Sequence, residues 1–182
     1  MIKIREAFDT DTPVILEVVW SAFGNQQGQE IADLIIDLLQ DRSAQPVISL
    51  VATINERVVG HILFTSARCK QSQQIFSSAI LAPLSVQLNY QNQGIGGQLV
   101  QAGLKQLKAM GLGLVFVLGH PGYYPKYGFI PAEARGFQDP YPIPPENTDA
   151  WMVQELQPGM IGRVMGQVES AETLNDPKHW QE

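Results

Sequence analysis

The chain has a single cysteine, Cys69, in 182 residues. One thiol cannot form an internal disulfide, so Cys69 reads as a small buried hydrophobe in a reducing compartment rather than as a catalytic thiol. Basic residues are also sparse. Twelve Lys and Arg stand against 18 Asp and Glu, for a formal charge of −6, and they gather into no run. A nucleic-acid footprint needs a basic stripe to displace counterions, so that class of partner is excluded. The three histidines, His61, His120 and His179, are scattered, and no Cys/His/Asp group has ligand spacing, so no metal is expected. No stretch approaches the roughly 20 apolar residues of a membrane span. The N-terminus, MIKIREAFDTDTP, lacks the apolar run of a signal peptide. A cytoplasmic protein with no membrane partner is expected.

What is present suits one domain with a sizeable core: 45% of residues are hydrophobic and 16% charged. Residues 2–5 alternate as a short strand. Asp9 to Asp11 ahead of Pro13 mark a helix start, and Val14, Ile15, Val18, Val19 and Phe23 share its apolar face. After a polar break over 24–29, Ile31, Leu34, Ile35, Leu38 and Leu39 repeat at helical spacing. Residues 47–54 and 58–67 form a hairpin about Asn55–Glu56–Arg57. A third extended run, 77–88, carries Pro83, which lacks a ladder donor and predicts a bulge or splay. A helix over 94–110, a buried strand over 114–118 and two closing strands near 152–156 and 163–168 complete the pattern. This order predicts an α+β fold: a mixed, mostly antiparallel, splayed sheet with helices on both faces. The domain is expected to span 1–168, with 169–182 a C-terminal tail.

The chemistry concentrates in Leu84–Ser85–Val86 and in Gln91–Asn92–Gln93–Gly94–Ile95–Gly96–Gly97. Glycines between a strand and a helix let the backbone turn sharply and leave N–H groups unpaired at the helix N-terminus. Such a nest suits a phosphate without any basic side chain. A P-loop would place Lys after the last glycine, but Gln98 and Leu99 follow Gly97. The dinucleotide fingerprint wants glycine at position 99 and a later acidic residue, and neither is there. Downstream lies Tyr124–Pro125–Lys126–Tyr127–Gly128–Phe129.

These two segments resemble the (Gln or Arg)-x-x-Gly-x-(Gly or Ala) and Tyr-x-x-x-Gly-Phe motifs of the GNAT superfamily of N-acetyltransferases. The run from Gly119 to Phe129, with Ala22–Phe23–Gly24, Glu30, Trp151–Met152 and Glu155–Leu156, is similar to the YhbS-like branch. The resemblance implies acetyl-CoA as cosubstrate, a primary amine of an unidentified acceptor as partner, and direct attack in a ternary complex. It implies that backbone groups of Leu84 and Val86, with Ser85 between them, hold the pantetheine arm and the thioester. Amides of Gln93, Gly94, Ile95, Gly96 and Gly97 would hold the pyrophosphate, and Gln91 and Asn92 complete the cofactor-binding set. Tyr124 would protonate the departing thiolate, since a phenol is protonated at neutral pH without tuning. Tyr123 and Tyr127 read as packing residues, and His120 as a candidate base or a backbone cap. Glu30 reads as a helix-start carboxylate or a substrate-facing one. A catalytically silent acyl-CoA-binding module is the alternative function, and a homodimer is left open.

Overall fold

The alternating segments assemble into one sheet in a computed structural model that describes residues 1–181. Its strands are β1 (Ile2–Glu6), β2 (Ile48–Ile54), β3 (Arg57–Gln71), β4 (Gln74–Val86), β5 (Leu114–Leu118), β6 (Ile130–Pro131), β7 (Phe137–Gln138), β8 (Trp151–Glu155) and β9 (Gly166–Glu169). The helices are α1 (Thr12–Phe23), α2 (Asn25–Gln40) and α3 (Ile95–Ala109). The main sheet runs β1-β2-β3-β4-β5-β8-β6, while β9 pairs with β3 and β7. Among these strands β4–β5 and β7–β9 are parallel and the other pairings antiparallel. The expected α+β class is thus the observed one. Asn55 and Glu56 both take positive φ, 48° and 66°, so the β2–β3 hairpin turns through two left-handed residues, matching the strand twist.

The sheet is covered on both faces. Ile15, Val18 and Val19 of α1 and Ala32 and Ile35 of α2 pack with Val51 and Val58. On the other face Ile95, Leu99, Val100 and Leu107 of α3 pack with Ile62, Phe64, Leu81 and Val115. The polar break expected over 24–29 is in fact helix. Only Gly24, at φ +81°, separates α1 from α2. A Cβ on Gly28 would come within 2.9 Å of the Trp20 Cα, so a glycine there lets the first turn of α2 fold back on α1. Its neighbours Gln26, Gln27 and Gln29 are simply the exposed face. Among the described residues no helix is long and apolar enough to cross a membrane.

Beyond Val168 the chain is not a loose tail. Ala171, Leu174 and Trp180 are 2%, 3% and 2% exposed within the core that also holds Trp151 and Phe116. The Trp180 ring meets Trp151 edge-on at 5.6 Å, and its N–H donates to the Leu174 carbonyl at 2.9 Å. Asp41 fixes the approach by accepting from the Thr173 N–H (2.9 Å) and hydroxyl (2.7 Å). The three apolar residues of the expected tail are set by two short 3-10 turns, too short to show a period in the sequence. Glu182, the last residue of that expected tail, lies outside the described residues.

β4 is where the sheet opens. It meets β5 only over Ser78–Leu81, against Leu114–Val117. On its other edge the register jumps: Leu81 faces Phe64 and Leu84 faces Ile62, leaving Ala82 and Pro83 opposite Leu63. Two residues against one is a bulge, placed at the residue that has no N–H to give. Past it, β4 runs on to Val86 with a partner on one side only.

Candidate active site

A cleft of about 350 Å³ lies in this opening. Its floor is the free edge of β4. The Gln87 N–H donates to Val59 of β3 at 2.8 Å. Backbone groups of successive strand residues point to opposite edges, so Val86 and Leu84 turn theirs toward the cleft and Ser85 turns its own toward β3. The Val86 carbonyl is already engaged: Gln91 Nε2 donates to it at 2.9 Å. Gln91 thereby ties the turn ahead of α3 to the strand.

The nest forms one end. Gly94 takes the left-handed conformation, φ +81°, and α3 starts at Ile95. The first bond into the helix runs from the Gln98 N–H to the Gly94 carbonyl at 3.1 Å. The amides of Ile95, Gly96 and Gly97 precede it and have no helical acceptor. They sit where the helix dipole favours an anion. Of the ten residues expected to hold the cofactor, Leu84, Ser85, Val86, Gln91, Asn92, Gly94, Ile95, Gly96 and Gly97 line the cleft. Gln93 does not, and its side chain turns back to the Asn89 carbonyl at 3.3 Å.

The tyrosines divide differently from the sequence reading. Tyr123 and Tyr127, expected to be packing residues, line the cleft together with Lys126. Their hydroxyls lie over Gly96 and Gly97; a Cβ on Gly97 would fall 2.9 Å from two Tyr127 ring carbons. The Lys126 ammonium sits 4.3 Å above the Tyr123 ring. Burial, then the hydrogen bond with Tyr127, pushes the Tyr123 phenol up, so it is neutral at physiological pH. Tyr124 lies one layer deeper, 8% exposed, edge-on to Tyr123 (5.1 Å) and to Phe129 (5.7 Å). Its ring rests on Gly119, the first residue after β5. The turn is a single 3-10 turn over Tyr124–Tyr127, shortened by Pro125 and closed by Gly128 at φ +100°. His120 caps this turn, its Nδ1 accepting from the Gly122 N–H at 2.9 Å.

The opposite wall comes from the end of α1 and the start of α2. Ala22 and Phe23, at the end of α1, face the cleft. The Leu88 N–H donates to Ser21 Oγ at 3.0 Å and holds α1 against the turn that follows β4. Phe23 also borders a neighbouring recess of about 310 Å³ with Gln26, Gln27 and Glu30.

A strand splayed at a bulge, a nest at the next helix and a tyrosine turn beside it define an acyl-CoA-type acyltransferase fold. The Acetyltransferase (GNAT) domain family matches residues 3–132, and the chain belongs to that family. The chain is 46% identical over 148 residues to the uncharacterised N-acetyltransferase YjhQ of Escherichia coli K12, covering 81% of this chain and 80% of YjhQ. It is 30% identical over 173 residues to the uncharacterised N-acetyltransferase YhbS of the same strain, covering 94% and 98%. The crystal structure of E. coli YhbS in complex with CoA superimposes with a TM-score of 0.83 over 96% of this chain and 92% of that one. A GNAT family acetyltransferase from Brucella melitensis, in complex with acetyl-CoA, gives 0.73 at 26% identity, covering 96% and 98%. The protein is an N-acetyltransferase of the GNAT family.

Proposed function

We propose that the cleft binds acetyl-CoA and passes its acetyl group directly to a primary amine held against the α1–α2 wall. The observation that carries this reading is the pairing of unpartnered amides at Ile95–Gly97 with the cleft-facing edge of β4, where Leu84 and the Val86 N–H have no neighbouring strand while the Val86 carbonyl is held by Gln91. The first end suits a pyrophosphate, and the second suits an amide-bearing pantetheine arm and a thioester carbonyl. YhbS and the Brucella enzyme carry CoA or acetyl-CoA in structures of the same fold.

In the proposed reaction the neutral amine nitrogen attacks the thioester carbon and backbone N–H groups stabilise the oxyanion. The C–S bond then breaks, the amine proton leaves to solvent, and the thiolate takes a proton from Tyr124, which regains one from solvent. Tyr123 and Tyr127 are poorer donors for this step, because their hydroxyls stand over the glycines at the pyrophosphate end. Tyr124 stands beside Gly119, where β5 ends and the sheet has opened.

The test is CoA release from acetyl-CoA over a panel of primary amines, with wild type and Tyr124→Phe. The expected result is turnover by the wild type and a loss of about 10²-fold or more in kcat for the variant, with acetyl-CoA affinity kept. Binding without turnover on any amine would support a silent acyl-CoA module instead. Turnover unaffected by the substitution would remove Tyr124 from the mechanism.

A further inference from the structure

Ser85 does not share the environment of Leu84 and Val86. His61 faces Val51 across the β2–β3 pair and faces Ser85 across the β3–β4 pair. Directly opposed residues of an antiparallel pair put their side chains on the same face. Val51 belongs to the α1–α2 core, so His61 and Ser85 lie on that face too. Leu84 and Val86 pack on the α3 side, toward the nest. Ser85 therefore lines the cleft from the wall of Ala22 and Phe23, away from the amides of α3.

Among the described residues, both carry a buried polar atom with no hydrogen-bond partner. Ser85 is 1% exposed and its Oγ has no hydrogen-bond partner. His61 is fully buried. Its Nε2 lies 2.9 Å from Ser49 Oγ, while its Nδ1 has no partner. A buried polar atom left alone costs about 1–3 kcal/mol, so two of them side by side in a folded core call for a function. Opposed residues have Cβ atoms about 4.5–5.5 Å apart, within reach of a hydrogen bond after a rotation of χ1 or through one water.

We propose that Ser85 binds the acceptor rather than the cofactor, its Oγ accepting an N–H of the incoming amine, and that His61 is the positioning residue that aims it. In this arrangement His61 Nε2–H donates to Ser49, and Nδ1 accepts from the Ser85 hydroxyl. Ser85 Oγ is sealed from solvent in the resting side-chain position, and the χ1 rotation that makes this bond also brings its lone pair to the cleft. A hydroxyl fixed in this sense accepts from a primary amine and directs the nitrogen lone pair at the thioester. The role requires a neutral imidazole. Burial holds His61 down to about 4, against the opposing pull of Asp11, the one charged group that acts on it, itself paired with Arg5 at 2.7 Å. His61 is thus a poor base at neutral pH and a dependable acceptor. The inference rests on the acetyl-transfer reading above.

Hydroxylamine, a small nucleophile that is neutral at pH 7, serves as the probe acceptor. The assay is CoA release from acetyl-CoA, corrected for the uncatalysed rate. Ser85→Ala is expected to raise KM for hydroxylamine about five- to tenfold, the worth of one neutral hydrogen bond, with kcat and the acetyl-CoA Kd near wild type. His61→Asn, whose amide oxygen takes the place of Nδ1, is expected to stay closer to wild type than His61→Leu. A second readout needs no turnover. In ¹⁵N NMR of the whole protein, His61 is expected as the neutral Nε2–H tautomer, and its Nδ1 resonance should move in Ser85→Ala. An unchanged KM for hydroxylamine, a weakened acetyl-CoA Kd in its place, or an unmoved Nδ1 resonance would each overturn the proposal while leaving acetyl transfer standing. A wild type that transfers acetyl to no nucleophile would overturn both.

Discussion

Asp41 holds the end of the chain to its beginning, and its removal has a calculable effect. One carboxylate oxygen accepts from the Ser43 N–H (2.8 Å) and hydroxyl (2.6 Å), the other from the Thr173 N–H and hydroxyl. Partial burial works against the charge, but these four bonds outweigh it and hold the carboxyl at about 2, below its ordinary 3.8. That difference corresponds to at most about 2.4 kcal/mol. Solvent still reaches the group, so about 1–2 kcal/mol is the realistic share. Asp41→Asn keeps the size but sets an NH₂ against two of the four donors. It should lower stability at pH 7 by about 1–2 kcal/mol, a fall in Tm of roughly 3–6 °C for a domain of this length. The folded value is depressed, so the wild-type advantage is present above about pH 4 and is lost as pH falls through 3.8 toward 2. Urea unfolding of both proteins at pH 7, 5 and 3 measures it. A gap that does not narrow at pH 3, or one below about 0.5 kcal/mol at pH 7, would refute the reasoning.

Trp180→Ala empties a site that is 2% exposed and stacked edge-on against Trp151, and should cost about 3–5 kcal/mol by urea unfolding. A cost under 1 kcal/mol would mean that the last turn adds nothing to the core. Gly97→Ala should destabilise by about 1–2 kcal/mol, because overpacking against the Tyr127 ring exceeds the gain in helix propensity. In a Tyr127→Ala background the same change should be neutral or stabilising, and equal costs in both backgrounds would show that the contact is not the cause.

The fold was legible wherever apolar residues repeat at a fixed period. β1, β2 and β5 fall within a residue of where the pattern puts them, and so does α3. Pro83 announced its bulge by chemistry alone. The polar stretch 24–29 misled because exposure was taken for irregularity; one glycine at φ +81° and another packed on Trp20 make it helix. The end of the chain carries little periodic signal for the converse reason: Leu174 and Trp180 are buried from 3-10 turns, whose side chains carry no long period. The nest was legible because a backbone device needs glycine at named positions. The polar pair of His61 and Ser85 was not, since it depends on which strand lies beside which.

The two motifs that pointed to acetyl transfer are one physical unit. In the sequence they stand some thirty residues apart and look like independent support. In the structure the hydroxyls of Tyr123 and Tyr127 lie over the α-carbons of Gly96 and Gly97, where any side chain would collide with them. The glycines therefore do two things: they free amides for an anion, and they let the tyrosine turn close on the first turn of α3. That closure sets Tyr124 behind its neighbours and beside the end of β5, at the opening of the sheet. A change in the nest should therefore be felt at the proposed proton donor. The Gly97 and Tyr127 substitutions, combined with Tyr124→Phe, would show whether binding and catalysis are separable here or share one hinge.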